Sequence, residues 1–193
     1  VNGAVPAILI VGGAGGVGSI AIQLARTQTD LTVIATASRP ETREWCLALG
    51  AHHVIDHSKP LAAEIEALGI GSPAFVFSTT QTDRHLAEIA RLIAPQGRFA
   101  LIDDPATLDV SLLKQKSVSL HWEFMFTRSM YETADMARQG TILNETARLI
   151  DAKVLRTTLA ERLSPIDAAN LRAAHRLIES GRAKGKIVLE GGE

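Results

Sequence analysis

Residues 7–23 read AILIVGGAGGVGSIAIQ, and the fold class turns on how this stretch is understood. The five apolar residues 7–11 have the length and composition of a buried strand. Gly12, Gly13, Gly15, Gly16 and Gly18 then turn the chain, and from Ser19 the apolar spacing becomes helical. Gly13, Gly15 and Gly18 fill the pattern G-x-G-x-x-G. In that pattern the first glycine permits a tight turn, the second lets backbone approach a pyrophosphate, and the third lets helix pack closely on strand. The free amides opening the helix would point at phosphates, where the helix dipole also favours negative charge. A bare G-x-G-x-x-G has little specificity. Here it follows a strand-like run and opens an amphipathic segment with Ile20, Ala21, Leu24 and Ala25 on one side, the context a dinucleotide fingerprint requires. A glycine-rich turn that holds no ligand is the plainer alternative.

Working outward, the helix should end near Thr27, and residues 31–37 (LTVIATA) form a second buried strand, completing a βαβ unit. Ser38 lies where such a fold places the group that meets the adenosine ribose. An acidic residue there would accept a hydrogen bond from the free 2′-hydroxyl of NAD, whereas this chain offers Ser38 and Arg39. A guanidinium matches a phosphate in charge and geometry, which favours NADP. A local account competes: Ser38 with Glu41 three residues on forms a capping box, and Pro40 suits a first helical turn. The two accounts are compatible, because a cap uses the serine and leaves Arg39 free.

With 193 residues, 46% of them hydrophobic and 4% aromatic, the chain suits one large domain, or one and part of another, with an aliphatic core. A net charge of −1 with dispersed Lys and Arg argues against nucleic acid as a partner. No apolar run approaches the length of a membrane span, and no charged n-region with a cleavage site is present, so a soluble cytoplasmic protein is expected. The single cysteine, Cys46, excludes an internal disulfide and a multi-cysteine zinc site, and reads as a small core thiol. Residues 1–7 read as a linker leading into the first strand of something longer.

The remaining chain alternates. A helix over 40–49 stops at Gly50, and a short strand follows over 51–56. His52 and His53, adjacent on that strand, point to opposite faces and do not chelate. His57 lies just past the strand's carboxyl end, where ligands of open α/β sheets bind, or is simply a solvated loop residue. A helix over 60–68 precedes a strand over 74–78 that ends in Ser78, Thr79 and Thr80, hydroxyls that line a cleft or cap the next helix, 83–92; Thr82 reads as a cap. Strand 98–103 follows, with Asp103 and Asp104 before Pro105 as turn chemistry. After a short helix over 108–115, residues 117–126 are expected as a sixth strand with Leu120, Trp122, Phe124 and Phe126 on one face. A helix over 138–150 places Ile142, Leu143, Ala147 and Ile150 at core spacing, and the chain closes with strand 157–163, helix 167–179 and strand 185–190.

Four stretches together resemble a known family: ILIVGGAGGVGSIAIQLAR (8–26), LGAHHVIDHS (49–58), HWEFMFTRSM (121–130) and AHRLIESGRAKGKIVLEG (174–191). They are similar to the cofactor domain and tail of medium-chain dehydrogenase/reductases, in the quinone oxidoreductase-like branch often labelled zinc-type alcohol dehydrogenase-like. The resemblance implies a doubly wound, parallel six-stranded Rossmann sheet over residues 1–156, with a strand-helix-strand tail over 157–193 that belongs to an otherwise missing catalytic domain. It implies hydride transfer between NADPH and a quinone, enone or other carbonyl substrate, with Gly13, Ala14, Gly15, Gly16, Val17 and Gly18 at the pyrophosphate and Ser38 and Arg39 at the 2′-phosphate. His57 would lie beside the adenosine, Ser78, Thr79 and Asp103 along the cleft, and Phe124 and Met125 near the nicotinamide. It also implies a homodimer paired through the strand around Trp122. No zinc is expected to bind this chain, no catalytic residue is assigned, and the tail is expected to be mobile or docked on another chain. A nucleotide-binding, dimerising module without turnover is the alternative function. Methyl transfer would call for an acidic group after the second strand, which is lacking.

Overall fold

The structure, a computed structural model, describes residues 6–191, so most of the expected linker lies outside the described residues. Six parallel strands form one sheet: β1 (Ala7–Val11), β2 (Thr32–Thr36), β3 (His53–Ile55), β4 (Phe75–Ser78), β5 (Arg98–Leu101) and β6 (Ser119–Trp122). Their order is β3-β2-β1-β4-β5-β6, the doubly wound dinucleotide order. The direction of winding reverses between β1 and β4, whose ends are level where Val11 is opposite Ser78. A crevice opens there at the carboxyl ends of the strands, where such sheets bind ligands.

Strand alternation divides the core between two faces. Leu9, Val11, Ile34, Val76, Phe99 and Leu101 pack against α3 (Leu61–Ala67) and α4 (Thr82–Leu92). Ile10, Val33 and Ala35 pack against α1 (Gly16–Gln28) and α2 (Pro40–Ala48), with Cys46 among them. Each fully buried large apolar side chain contributes about 1.5–3 kcal/mol relative to leaving it in water. Cys46 is the buried core thiol expected, and burial pushes its pKa up to about 12.

Several expectations are corrected. Of the expected stripe on α1, Ala25 is buried while Ile20, Ala21 and Leu24 are half-buried; Ser19, Ile22 and Gln23 complete the buried side, the two polar groups because they have distant partners. The Ser19 hydroxyl accepts from Trp45 Nε1 at 2.8 Å, and Gln23 both donates to the Arg156 carbonyl at 3.1 Å and accepts from its amide at 2.9 Å. Ser38 does not cap α2. Arg39 occupies the N-cap position, and the Thr42 hydroxyl accepts from its amide at 3.3 Å. The helix expected over 108–115 is a 3-10 turn, Val110–Lys116, capped by Asp109.

The sixth strand is four residues long. Beyond it the chain coils into a short helix, α5 (Thr127–Met130), through hydrogen bonds from the Thr127 amide to the Phe124 carbonyl and from Met130 to Phe126. Phe124 and Phe126 therefore stack edge to face at 5.6 Å instead of continuing a strand face. On α6 (Arg138–Asp151) the expected core residues Ile142, Leu143 and Ile150 are exposed and Leu149 is the buried one.

The tail comprises β7 (Leu159–Leu163), α7 (Ala168–Glu179) and β8 (Lys186–Leu189), with β7 and β8 paired in a separate parallel sheet. The expectation that it lacks a packing partner in this chain does not hold. The Gly185 amide donates to the Ala14 carbonyl at 2.8 Å, and the Lys184 ammonium sits 5.4 Å from the centre of the Trp45 ring.

Candidate functional site

A cleft of about 370 Å³ lies over the β1/β4 crevice. Its floor is the glycine turn, whose glycines meet different surroundings. Gly12, at φ +79°, is the residue with the left-handed backbone, and its amide donates to the Thr36 hydroxyl at 3.0 Å. Gly18 has no room for a side chain, since a β-carbon would stand 2.2 Å from the Gly12 carbonyl oxygen. Gly13 is closed off by Ala35, 2.7 Å from where its β-carbon would be. Gly15 differs: the nearest atom to a β-carbon there is at 3.4 Å, an ordinary contact, and the position opens into the cleft. The fold would tolerate a side chain at Gly15, so its absence there leaves space for a ligand. No side chain caps the first turn of α1, and Gly16 and Val17 face the cleft with Ala14 and Gly15. Gly13 and Gly18 stand behind this surface and shape the turn.

The tail contributes a wall. Gly181 and Ala183 line the cleft, and the side chain of Lys186 lies over the start of α1, with its Nζ 3.1 Å from where a β-carbon of Gly16 would be. The ammonium thus adds positive charge beside the helix N-terminus.

At the far end, Ser38, Arg39, Thr42, His57 and His85 meet. Arg39 is held in place: its Nε donates to Glu41 at 2.7 Å and an NH2 donates to the Arg182 carbonyl at 2.7 Å. Burial lowers the pKa of both histidines. For His57, Asp56 opposes the shift and Arg84 and Arg39 add to it; for His85, His57 and Arg84 add to it and Asp83 opposes it. The free cleft therefore favours neutral imidazoles.

The third side is the loop after β4. Thr79 faces the cleft, its hydroxyl donating to the Val11 carbonyl at 2.8 Å, with Thr80 and Gln81 beside it. Ser78 is fully buried, 2.7 Å from the Thr82 hydroxyl. Asp103 accepts from the Thr82 amide at 2.9 Å and from the Thr82 hydroxyl. Asp103 thus caps α4 from another strand, a role the sequence reading gave to Thr82. Ser78 and Asp103 hold the loop and are not on the cleft surface. Phe124 and Met125 are also away from it; Phe124 borders a separate hollow of about 220 Å³ with Trp122 and Arg128. Among the described residues no three His, Cys, Asp or Glu side chains gather closely enough to hold a metal ion.

Thr36 and His85 escaped the sequence reading. A hydroxyl inside the run LTVIATA was a visible signal for Thr36. For His85 the signal was its place in the first turn of the helix after β4. Gly181 and Ala183 had no local signal, because only the packing of the tail brings them to the cleft.

The family model described as zinc-binding dehydrogenase matches residues 49–189. The zinc-type alcohol dehydrogenase-like protein SAS2087 of Staphylococcus aureus (strain MSSA476) is 36% identical over 183 residues, 94% of this chain and 54% of that protein. The chain therefore spans about half the length of the curated relatives it matches. A crystal structure of a candidate zinc-dependent alcohol dehydrogenase protein from Rhizobium etli CFN 42 superposes with a TM-score of 0.95 at 70% identity, over all of this chain and 56% of that one. Mycobacterial Rv1454c, solved in complex with NADPH, superposes with a TM-score of 0.77 at 25% identity, over 96% of this chain and 56% of that one. With the doubly wound sheet and the glycine turn in place, the chain belongs to the zinc-binding dehydrogenase family, in the zinc-type alcohol dehydrogenase-like group of the medium-chain dehydrogenase/reductases.

Proposed function

We propose that the cleft binds NADPH and that the chain is the cofactor-binding part of an oxidoreductase acting on a carbonyl, enone or quinone. The observation that carries this reading is the pairing of an open Gly15 turn at one end of the cleft with Ser38 and a pre-positioned Arg39 at the other. The residues present fit the cofactor: the first turn of α1 and Lys186 offer positive charge to a pyrophosphate, and Arg39 offers a guanidinium to the 2′-phosphate. When bound, NADPH supplies a hydride, and the protein's part is orientation and electrostatics. Thr79 and the loop held by Asp103 set the wall of the cleft beyond the pyrophosphate turn. The ligands of substrate are assigned to the part of the relatives that this chain does not span. Of the described strands, none pairs with the outer side of β6, and that edge is the surface we assign to a homodimer.

Glu41 is the competing partner of Arg39, at 2.7 Å. Titration of NADPH and NADH, followed by cofactor fluorescence, should show NADPH bound more tightly, and Arg39→Ala should reduce the preference about tenfold, the loss expected of one charge-assisted contact. Equal affinity for the two cofactors in the unaltered protein would defeat the NADPH reading. Oxidation of NADPH by a panel of quinones, enones and aldehydes separates an enzyme from a binding module without turnover.

A further inference from the structure

Two imidazoles at the adenosine end of the cleft have no structural work to do. His85, in the first turn of α4, is only 7% exposed and lines the cleft. No hydrogen bond reaches its ring among the described residues, and since no buried side-chain nitrogen there lacks a partner, its ring nitrogens keep access to solvent on a residue that lines the cleft. His57, from the loop after β3, stands with its ring 6.4 Å from that of His85 at 63°, and likewise has no side-chain partner among the described residues. Two different elements thus bring a pair of unused, titratable rings to the end of the cleft that holds Ser38 and Arg39.

The charges around the pair decide its resting state. Arg39 at the N-cap of α2 and Arg84 on α4 face the rings, against Asp56 from the loop after β3 and Asp83 on α4. Asp56 is already engaged, accepting from the Ser58 amide at 2.9 Å and the Ser58 hydroxyl at 2.7 Å. Desolvation and two nearby guanidinium groups disfavour further positive charge while the cleft holds no anion. A phosphate dianion reverses the sign of that balance, because each imidazolium gains an opposite charge and a second N–H donor.

We propose that His57 and His85 are specificity-determining residues of this cleft: on taking up a proton they hold the 2′-phosphate of NADPH, so that the choice of NADPH over NADH is gated by pH. The proposal rests on the NADPH reading above and deepens it, since neutral rings would serve both cofactors alike.

The test compares NADPH and NADH affinities from pH 6.5 to pH 8.5, above the second ionisation of a phosphate monoester at about 6, so that the ligand's charge stays nearly constant. The NADPH preference should fall about tenfold across that range in the unaltered protein, and less than about twofold in the H57Q/H85Q variant, which keeps hydrogen-bonding groups that do not titrate. Calorimetry of the unaltered protein in two buffers of different ionisation enthalpy should show proton uptake with NADPH and none with NADH, a readout independent of whether the variant folds. A preference that is flat with pH, or no proton uptake, overturns the proposal. So does a variant that weakens both cofactors equally, which would mean the rings merely stack on adenine. If the unaltered protein binds neither cofactor, the NADPH reading itself fails; if it binds both with a pH-independent ratio, only the gating fails.

Discussion

Residues 7–101 and residues 117–154 are comparably rich in large apolar side chains, yet they use them in opposite ways. In the first stretch Leu9, Ile34, Ile89 and Phe99 are completely buried, each strand face being closed by helices that follow it within a few residues. In the second, Trp122 is 56% exposed, Tyr131 73% and Leu143 64%. The difference lies in what each stretch is patterned to meet. A βαβ unit closes its own core, whereas the β6 edge and α6 present an apolar surface that no described residue covers. Exposed patches of this kind mark association surfaces in soluble proteins.

The contrast is sharpest in a pair of truncations. Phe99→Ala should cost about 4 kcal/mol in chemical denaturation, whereas Leu143→Ala should stay within about 0.5 kcal/mol in the isolated chain. A cost above about 1 kcal/mol at Leu143 would show that α6 is covered, and the contrast would be lost. Gly18→Ala comes next. Its β-carbon meets backbone at 2.2 Å, so the turn must shift, and a loss of about 3 kcal/mol with loss of cofactor binding is expected from unfolding and titration together. The bond that ties the first region to the segment just beyond the second is weaker. Gln23→Ala removes both hydrogen bonds to Arg156 and should cost about 1–2 kcal/mol, read as a lower denaturation midpoint with the slope unchanged.

Acid should act on the self-contained region by the smallest amount. His52 Nδ1 accepts the Val33 amide at 2.8 Å, which requires an unprotonated nitrogen, and its pKa, like those of His57 and His85, lies below the ordinary 6.5, chiefly through burial. A histidine lowered in the fold is protonated more readily in the unfolded chain. Stability is therefore full above pH 6.5 and declines as pH falls from there through the lowered folded values. Thermal melts between pH 5 and pH 8 should show a modest drop on the acid side. A midpoint that rises on acidification would contradict the assignment.

Much of this architecture was legible because it is local. The run at 7–11, the glycines and the run at 31–37 are close in sequence and close in space, so periodicity alone places β1, α1 and β2. The errors fall where a partner is remote. Ser19 and Gln23 lie outside the apolar stripe read from the spacing, yet both are buried, one bonded to Trp45 and the other to a backbone 133 residues away. Residues 117–126 alternate like a strand to the end, but hydrogen bonds from Thr127 and Met130 coil the chain after Trp122. Asp103 was read as turn chemistry from its own neighbours, and its actual role is to accept the amide of Thr82, on a helix that follows another strand.

By itself, the sequence determined the parallel order of the nucleotide fold, the position of the cleft at the end of β1 and the residues, Ser38 and Arg39, that follow β2. Those features depend on side-chain volume and backbone freedom at short range. Only the tertiary structure decided that Gly12 carries the left-handed backbone, that Gly15 alone among Gly12, Gly13, Gly15 and Gly18 opens to the cleft with no tight contact, that His85 faces His57, and that Gly181, Ala183 and Lys186 close one side. The physical reason is that a wall of the cleft is an interface. Its lining comes from segments up to 172 residues apart, Val11 to Ala183 in sequence, and no local pattern encodes which of them will meet.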